Sequence, residues 1–252
     1  MAITLATVID SARRIVFFGG AGVSTESGIP DFRSAAGLYS TASGPRPPEY
    51  MLSDECLWDE PEAFWDFHRR HLIHPQARPN AAHRALAALE RRGVLTAVVT
   101  QNVDGLHQLA GSQVVHELHG SVHRNHCVRC DRPMPLDEVL ATSGVPHCPS
   151  CGAMVRPDVV LYGEALDPEV VDAAVRAIED ADTLIVGGTS LNVYPAAGFA
   201  LRYVGDRLVL INRTPTLFDR RAALLVREPI GDALAPWDPA APTPARDAVT
   251  GS

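Results

Sequence analysis

Four short apolar runs punctuate the chain: residues 14–19 (RIVFFG), 95–101 (LTAVVTQ), 183–188 (TLIVGG) and 207–212 (RLVLIN). Each is nearly continuous and rich in Val, Ile and Leu, the pattern of a strand buried on both faces of a parallel sheet. Helical periodicity lies between them. Residues 80–92 set Ala82, Ala85, Leu86 and Leu89 on one face and close on Arg91, Arg92 and Gly93, a C-terminal signal. Asp167 caps a second helix with Pro168 in its first position, followed by the stripe Val170, Val171, Ala174, Val175 and Ile178. Residues 1–12 read as a first helix. Alternating strand and helix predict an α/β fold, a Rossmann-like doubly wound parallel sheet.

Two stretches break the alternation. Residues 34–75 are rich in Gly, Pro and aromatics, with helical character over 61–73, and residues 122–156 carry four paired cysteines with little apolar periodicity. Both predict insertions that build a smaller zinc-ribbon and helical lobe on the carboxyl edge of the sheet. The large lobe then comprises residues 1–33, 76–121 and 157–236, within one domain of residues 1–240. The Pro/Ala-rich segment 237–252 reads as a flexible tail.

Composition narrows the class. A chain of 252 residues, 46% hydrophobic, can bury one large core or a core with a satellite. No run of about 18 apolar residues occurs, so no membrane helix is expected. The first residues lack the basic region and cleavage site of a signal peptide, so a cytoplasmic location is expected. A net charge of −8 argues against a dedicated nucleic-acid surface, which needs a basic stripe. All 22 basic side chains are arginine, as the codon usage of a GC-rich genome would give.

Four of the five cysteines form Cys127-x-x-Cys130 and, after 17 residues, Cys148-x-x-Cys151. Each pair can grip Zn²⁺ from one turn, and four thiolates fill its tetrahedron. A closed shell leaves no position for water, so one structural zinc ion is expected, supplying folding energy that this short polar stretch lacks. Two redox CxxC pairs are the competing reading. His126 and His147 read as exposed neighbours of the ligands, and Cys56 as a small core residue.

Gly19-Gly20-Ala21-Gly22-Val23-Ser24 follows the first apolar run. Glycines there let backbone approach a pyrophosphate at a helix N-terminus. Thr25 stands where a third glycine is usual, and no second strand ends in an acidic residue about 20 positions on, as in a dehydrogenase. The pattern speaks for a dinucleotide but not for hydride transfer. Gln101, Asn102 and Asp104 at a strand end offer partners for ribose hydroxyls and a carboxamide. His119 stands at a second such end and, with an ordinary pKa of ~6.5, can take a proton near neutral pH.

The motifs GAGVSTESGIPDFR, TQNVDGLH, ELHG, CxxC…CxxC, RPDVVLYGE over residues 156–164, GTSLNVYPA and INRT occur together and in this order. Across roughly residues 1–235 the chain resembles the sirtuin family, in particular its small bacterial members. The resemblance implies an NAD-dependent protein-lysine deacetylase, a transferase that moves acetyl from acetyl-lysine to ADP-ribose and releases nicotinamide and O-acetyl-ADP-ribose. NAD⁺ is implied as co-substrate in a cleft between the lobes. Gly20, Ala21 and Gly22 would face the pyrophosphate, Arg33 would sit in the loop closing over it, and Thr189 and Ser190 would lie along the phosphates. Asn102 and Asp104 would hold the nicotinamide end and Gln101 its ribose. Asn212 and Arg213 would sit near the adenosine ribose and Ala233 near adenine, with Ser24, Ile29, Asp31, Val103 and Gly188 also lining the cofactor site.

Catalysis falls, on the same resemblance, to His119 and Asn102. The acetyl-lysine oxygen attacks the nicotinamide ribose, giving an O-alkylimidate, and His119 activates a ribose hydroxyl against it, help typically worth ~10²–10⁴-fold. Phe32 would cover the nicotinamide site and keep water away. The implied partner is an acetylated lysine of a protein in extended conformation, with no nucleic acid and no membrane involved. It would enter between Val159, Val160, Leu161, Tyr162, Gly163 and Glu164 on one side and Leu191, Asn192 and Val193 on the other, as an added strand.

The family's Phe-Gly-Glu is here Tyr162-Gly163-Glu164. Relatives that take succinyl- or malonyl-lysine carry a Tyr-x-x-Arg pair on the second-lobe helix, whose arginine pairs with the acyl carboxylate. His68 and His71 stand at those positions, with Arg69 and Arg70 read as solvated, so uncharged acyl groups are expected to be preferred. The alternative is an NAD-dependent protein ADP-ribosyltransferase on the same scaffold; the presence of both His119 and Asn102 favours deacylation.

Overall fold

The computed structural model describes residues 3–41, 46–192 and 195–241. Its strands are β1 (Ile15–Gly19), β2 (Leu95–Thr100), β3 (Val115–Glu117), β4 (Gly120–Cys127), β5 (Val155–Val159), β6 (Thr183–Gly187), β7 (Leu208–Ile211) and β8 (Leu224–Val226). Six form one parallel sheet in the order β3-β2-β1-β6-β7-β8, while β4 and β5 pair antiparallel apart from it. From β1 the chain winds outward to β2 and β3, then returns to the other side of β1 for β6, β7 and β8. The switch point therefore lies between β1 and β6, and a crevice opens there at the carboxyl ends.

The two faces of the sheet follow from a period of two along β1. Ile15 and Phe17 enter the core under helices Leu5–Ser11, Ala81–Arg91 and Ile230–Leu234, while Val16 and Phe18 enter the core under Pro168–Asp180 and Ala196–Phe199. Each large apolar side chain so buried stabilises by about 1.5–3 kcal/mol. The anticipated caps form: Asn80 accepts from the Ala82 N–H at 3.0 Å and Asp167 from the Glu169 N–H at 2.8 Å.

A third core holds the second lobe together. Helix Pro61–His71 contributes Phe64, Trp65 and Phe67, which share a cluster with Cys127, Val139, Cys148 and Val155. Cys56 is fully buried in that cluster, as a core residue.

Three expectations change. No α-helix follows β1; two 3₁₀ turns, Ala21–Val23 and Thr25–Ser27, stand there instead. The Gly20 and Gly22 N–H groups are donated to the carbonyls of Gly187 and Gly188, and Pro30 disfavours a helix just before it. Arg69 is not solvated: it donates to the carbonyls of Gly144 and Val139 and to the Thr142 hydroxyl, with its guanidinium 5.3 Å over the Trp65 ring. His126 is not a free neighbour, since its Nδ1 meets the Asp158 carboxylate. Packing also continues past residue 236: Trp237 packs on the first core, and Asp238 is buried in a two-bonded pair with Arg84 at 2.7 and 3.0 Å. Residues 242–252 of the expected tail lie outside the described residues, as does Val193.

Candidate active site and metal centre

The polar residues picked from the sequence meet along the carboxyl ends of β1, β2, β6 and β7. Ser24 donates to the Asp104 carboxylate at 2.7 Å and accepts from the Asn102 amide at 3.1 Å. Asn102 is held by a bond from its own N–H to the Thr100 hydroxyl at 3.0 Å, and Asp104 accepts the Leu106 N–H at 2.9 Å. Across the switch point, Gln101 donates to the Thr189 hydroxyl at 3.1 Å. Asn212 then pairs with Thr189 twice, accepting its N–H at 3.1 Å and donating to its carbonyl at 2.8 Å. Ser24 and Asn102 are buried, so their geometry is fixed by these bonds and not by solvent.

His119 stands beside this array, two residues beyond β3. Its Nδ1 lies 2.9 Å from the Gln101 carbonyl. A carbonyl only accepts, so Nδ1 carries the hydrogen in the neutral ring and Nε2 keeps the lone pair. Burial pulls the His119 pKa below its ordinary value, against the opposing pull of the Gln101 carbonyl. The backbone is equally constrained, because the His119 carbonyl accepts the Val160 N–H at 2.9 Å. Gly120 follows at φ +75°, where an added Cβ would sit 1.9 Å from the Asp158 carbonyl oxygen. Only glycine fits there, and it lets the chain turn from the histidine directly into β4.

The glycines after β1 serve a contact inside the protein. A Cβ on Gly22 would lie 2.8 Å from the Gly188 Cα, and one on Gly20 2.8 Å from the Thr189 Cβ. They bring the loops after β1 and β6 together at the switch point. The donor set still fits a dinucleotide, with amide, hydroxyl and carboxylate groups running along four strand ends. Ser190, Arg213 and Arg33 are exposed. Ile29 and Val103 are partly buried, Val103 and Phe32 packing on the second-lobe core. Asp31 accepts the N–H groups of Arg33 and Ser34 at 3.0 and 2.8 Å, which shapes the start of the loop. Ala233 packs into the first core and takes no part in the polar array.

The expected peptide segments are strongly tied down. Val159 and Leu161 bury their side chains in the second-lobe core. Tyr162 donates its N–H to the Leu52 carbonyl and accepts the Asp54 N–H, both at 3.0 Å. Glu164 forms a two-bonded pair with Arg156 at 2.7 and 2.9 Å and accepts the Leu161 N–H at 2.9 Å. Burial opposes the Glu164 charge, but these partners outweigh it and hold its pKa below the usual carboxylate range. Among the described residues the Val160 carbonyl and the Gly163 N–H keep no backbone partner. Leu191, opposite in the expected arrangement, is buried at φ +55°, a strained conformation for a leucine; Asn192 beside it is exposed.

Sequence reasoning gave no role to Glu26, Thr100 or Tyr39. Glu26 accepts the Gly231 N–H at 3.0 Å and so ties the loop after β1 to helix Ile230–Leu234. Tyr39 packs edge-on against Phe32 at 5.8 Å, and its hydroxyl meets that of Tyr162. These contacts span up to 205 residues of chain, and no local pattern signals them.

The Sγ atoms of Cys127, Cys130, Cys148 and Cys151 all lie within 4.8 Å of one another, with separations down to 3.4, 3.6 and 3.7 Å. A tetrahedron with Zn–S bonds of about 2.3 Å has edges of about 3.8 Å, so the four sulfurs fit one zinc ion with little movement. The set is closed by four protein ligands, the composition of a structural site.

A doubly wound sheet with this polar array at its switch point, a buried histidine beside it and a four-cysteine lobe defines a dinucleotide-binding α/β protein stabilised by a metal ribbon. A sequence profile of the Sir2 family matches residues 20–195, and the chain belongs to that family. It is 58% identical over 231 residues to an NAD-dependent protein deacetylase of Cutibacterium acnes, covering 91% of this chain and 94% of that protein. An NAD-dependent protein deacetylase of Clostridium acetobutylicum is 51% identical, covering 91% and 95%. A solved structure described as Sir2 with p53 peptide and NAD⁺ superposes with a TM-score of 0.79 at 37% identity, covering 91% of this chain and 93% of that one.

Proposed function

We infer that this chain is an NAD-dependent protein-lysine deacetylase that transfers acetyl from acetyl-lysine to ADP-ribose and releases nicotinamide. The observation that carries the reading is His119, whose Nδ1 is engaged by the Gln101 carbonyl, leaving Nε2 as a base beside the polar array. Bound NAD⁺ supplies a ribose carbon activated by its nicotinamide leaving group, and the ribose hydroxyls. His119 Nε2 takes the proton of a ribose hydroxyl, and its neutral form prevails at neutral pH because burial lowers its pKa. Asn102 and Asp104, locked together through Ser24, orient the nicotinamide end. Gln101 and Thr189 carry the array toward Asn212 and Arg213 at the adenosine ribose, while Ser190 and Arg33 can meet phosphate charge. Phe32, anchored on the second-lobe core, covers the reacting centre and limits water. The peptide main chain would pair with the Val160 carbonyl and the Gly163 N–H on one side and with residues 191–193 on the other. The zinc ion holds the second lobe and takes no chemical part.

His68 supports a preference for uncharged acyl groups. It is fully buried, stacked 5.5 Å from Phe64, and burial with the nearby Arg69 charge pushes its pKa to about 3, so it offers no cation to an acyl carboxylate. No helix among the described residues is long and apolar enough to cross a membrane. A cytoplasmic setting suits a metal site that needs four reduced thiols. The test is a panel of acetyl-, propionyl- and succinyl-lysine peptides with and without NAD⁺, following nicotinamide release. Turnover of acetyl-lysine that requires NAD⁺ is expected; succinyl turned over faster than acetyl would overturn the acyl preference.

A further inference from the structure

Tyr39 joins the loop that carries Phe32 and Arg33 to the segment proposed to receive the peptide. Its N–H donates to the Phe32 carbonyl at 2.9 Å, its ring meets the Phe32 ring edge-on at 5.8 Å, and the Arg33 guanidinium lies 5.2 Å over its face. Its hydroxyl meets the hydroxyl of Tyr162. Tyr162 is the fixed partner of the two, since both of its backbone polar groups are bonded to Leu52 and Asp54. Phe32 is thus held from two sides: by apolar packing on the second lobe and, through Tyr39, by one hydroxyl contact to the peptide segment.

We propose that the Tyr39–Tyr162 hydroxyl pair is a latch that seats Phe32 over the reacting ribose carbon and couples this cover to the acyl-peptide segment. Both tyrosines are positioning residues, and the proposal rests on the deacetylase reading above. The pair needs one hydroxyl to donate and the other to accept, which phenols do over a wide pH range; burial raises the Tyr39 pKa further and keeps its proton in place. Either hydroxyl alone cannot close the latch, because among the described residues no other hydrogen bond joins the two side chains. Removing one frees Phe32 to move and lets water compete at the ribose carbon. NAD⁺ is then hydrolysed without acetyl transfer.

The test uses the full chain as wild type, Tyr39→Phe, Tyr162→Phe and the double variant, with two measurements. Hydrogen–deuterium exchange reads the loop without reference to activity, and exchange over residues 31–41 should rise in each variant. The ratio of nicotinamide released to acetyl-lysine consumed reads the coupling. It should stand near one in wild type and rise about two- to tenfold in each single variant, the worth of one hydrogen bond, and no further in the double. Unchanged exchange overturns the latch whether or not the protein deacetylates. Raised exchange with an unchanged ratio, or a double variant whose effect is the product of the singles, overturns the coupling. If wild type leaves acetylated peptide intact, the deacetylase reading fails, and exchange alone decides the latch.

Discussion

At His119 the Gln101 carbonyl, 2.9 Å from Nδ1, leaves Nε2 as the ring nitrogen able to accept a proton. Protonation of Nε2 abolishes that role, and burial holds the pKa below the ordinary 6.5. The acid limb of kcat/KM should therefore fall through an apparent pKa under 6.5, with a plateau by neutral pH; a limb centred above 7 would contradict the assignment. His119→Ala should retain NAD⁺ binding by calorimetry while turnover drops ~10²–10⁴-fold. Asn102→Ala removes the amide bonded to Ser24 and should weaken nicotinamide release more than NAD⁺ binding. His119, Asn102 and Asp104 were legible because they sit within short motifs at strand ends. Tyr39 was not, because its meaning lies in a contact 123 positions away. The glycines after β1 were found for a partly different reason from the one that places them: the close approach of Gly22 to Gly188 needs two loops that the sequence separates widely.

The second lobe shows what local pattern reading can and cannot reach at the scale of elements. The paired cysteines announced a ribbon through spacing alone. β4 and β5 did not announce themselves, since their residues mix metal ligands, polar groups and a register shift between Ser121 and Asn125. β3 and β8, three residues each at opposite edges of the sheet, are too short to stand out as apolar runs. The ribbon also shares one core with helix Pro61–His71, so metal binding and helix packing are linked. Cys148→Ser should lower zinc content by elemental analysis from about one per chain to near zero. It should also remove most of a metal contribution that in small zinc domains reaches about 10–16 kcal/mol. The expected readout is a second lobe that exchanges its amides while the parallel sheet stays protected. An unchanged exchange pattern would show that the ribbon folds without metal.

Across the whole molecule, three cores fix two lobes, with the polar array on the sheet edge between them. Buried imidazoles tie this arrangement to pH. His68, His83 and His107 are fully buried, and burial holds each below its ordinary pKa, His68 at about 3. His83 and His107 meet edge-on with ring centroids 4.7 Å apart, and among the described residues no partner satisfies either ring nitrogen of His107. Unfolded histidines bind protons near pH 6.5 whereas these do not, so the unfolded chain gains protons first as pH falls. Their contribution is present above pH 6.5 and is lost below it; at pH 5 the loss is about 2 kcal/mol for His68. Tm should fall steadily from pH 7 to pH 5, and a rise would contradict buried neutral rings. The doubly wound sheet was legible as alternating runs, whereas the meeting of the lobes was not, because it depends on which strand ends become neighbours. The most direct test of the whole account is mass spectrometry of one acetyl-lysine peptide incubated with the protein and NAD⁺, alongside His119→Ala. Wild type should give equal amounts of free lysine peptide, nicotinamide and O-acetyl-ADP-ribose, and the variant almost none. Intact peptide with ADP-ribose attached to protein, or full deacetylation by the variant, would contradict it.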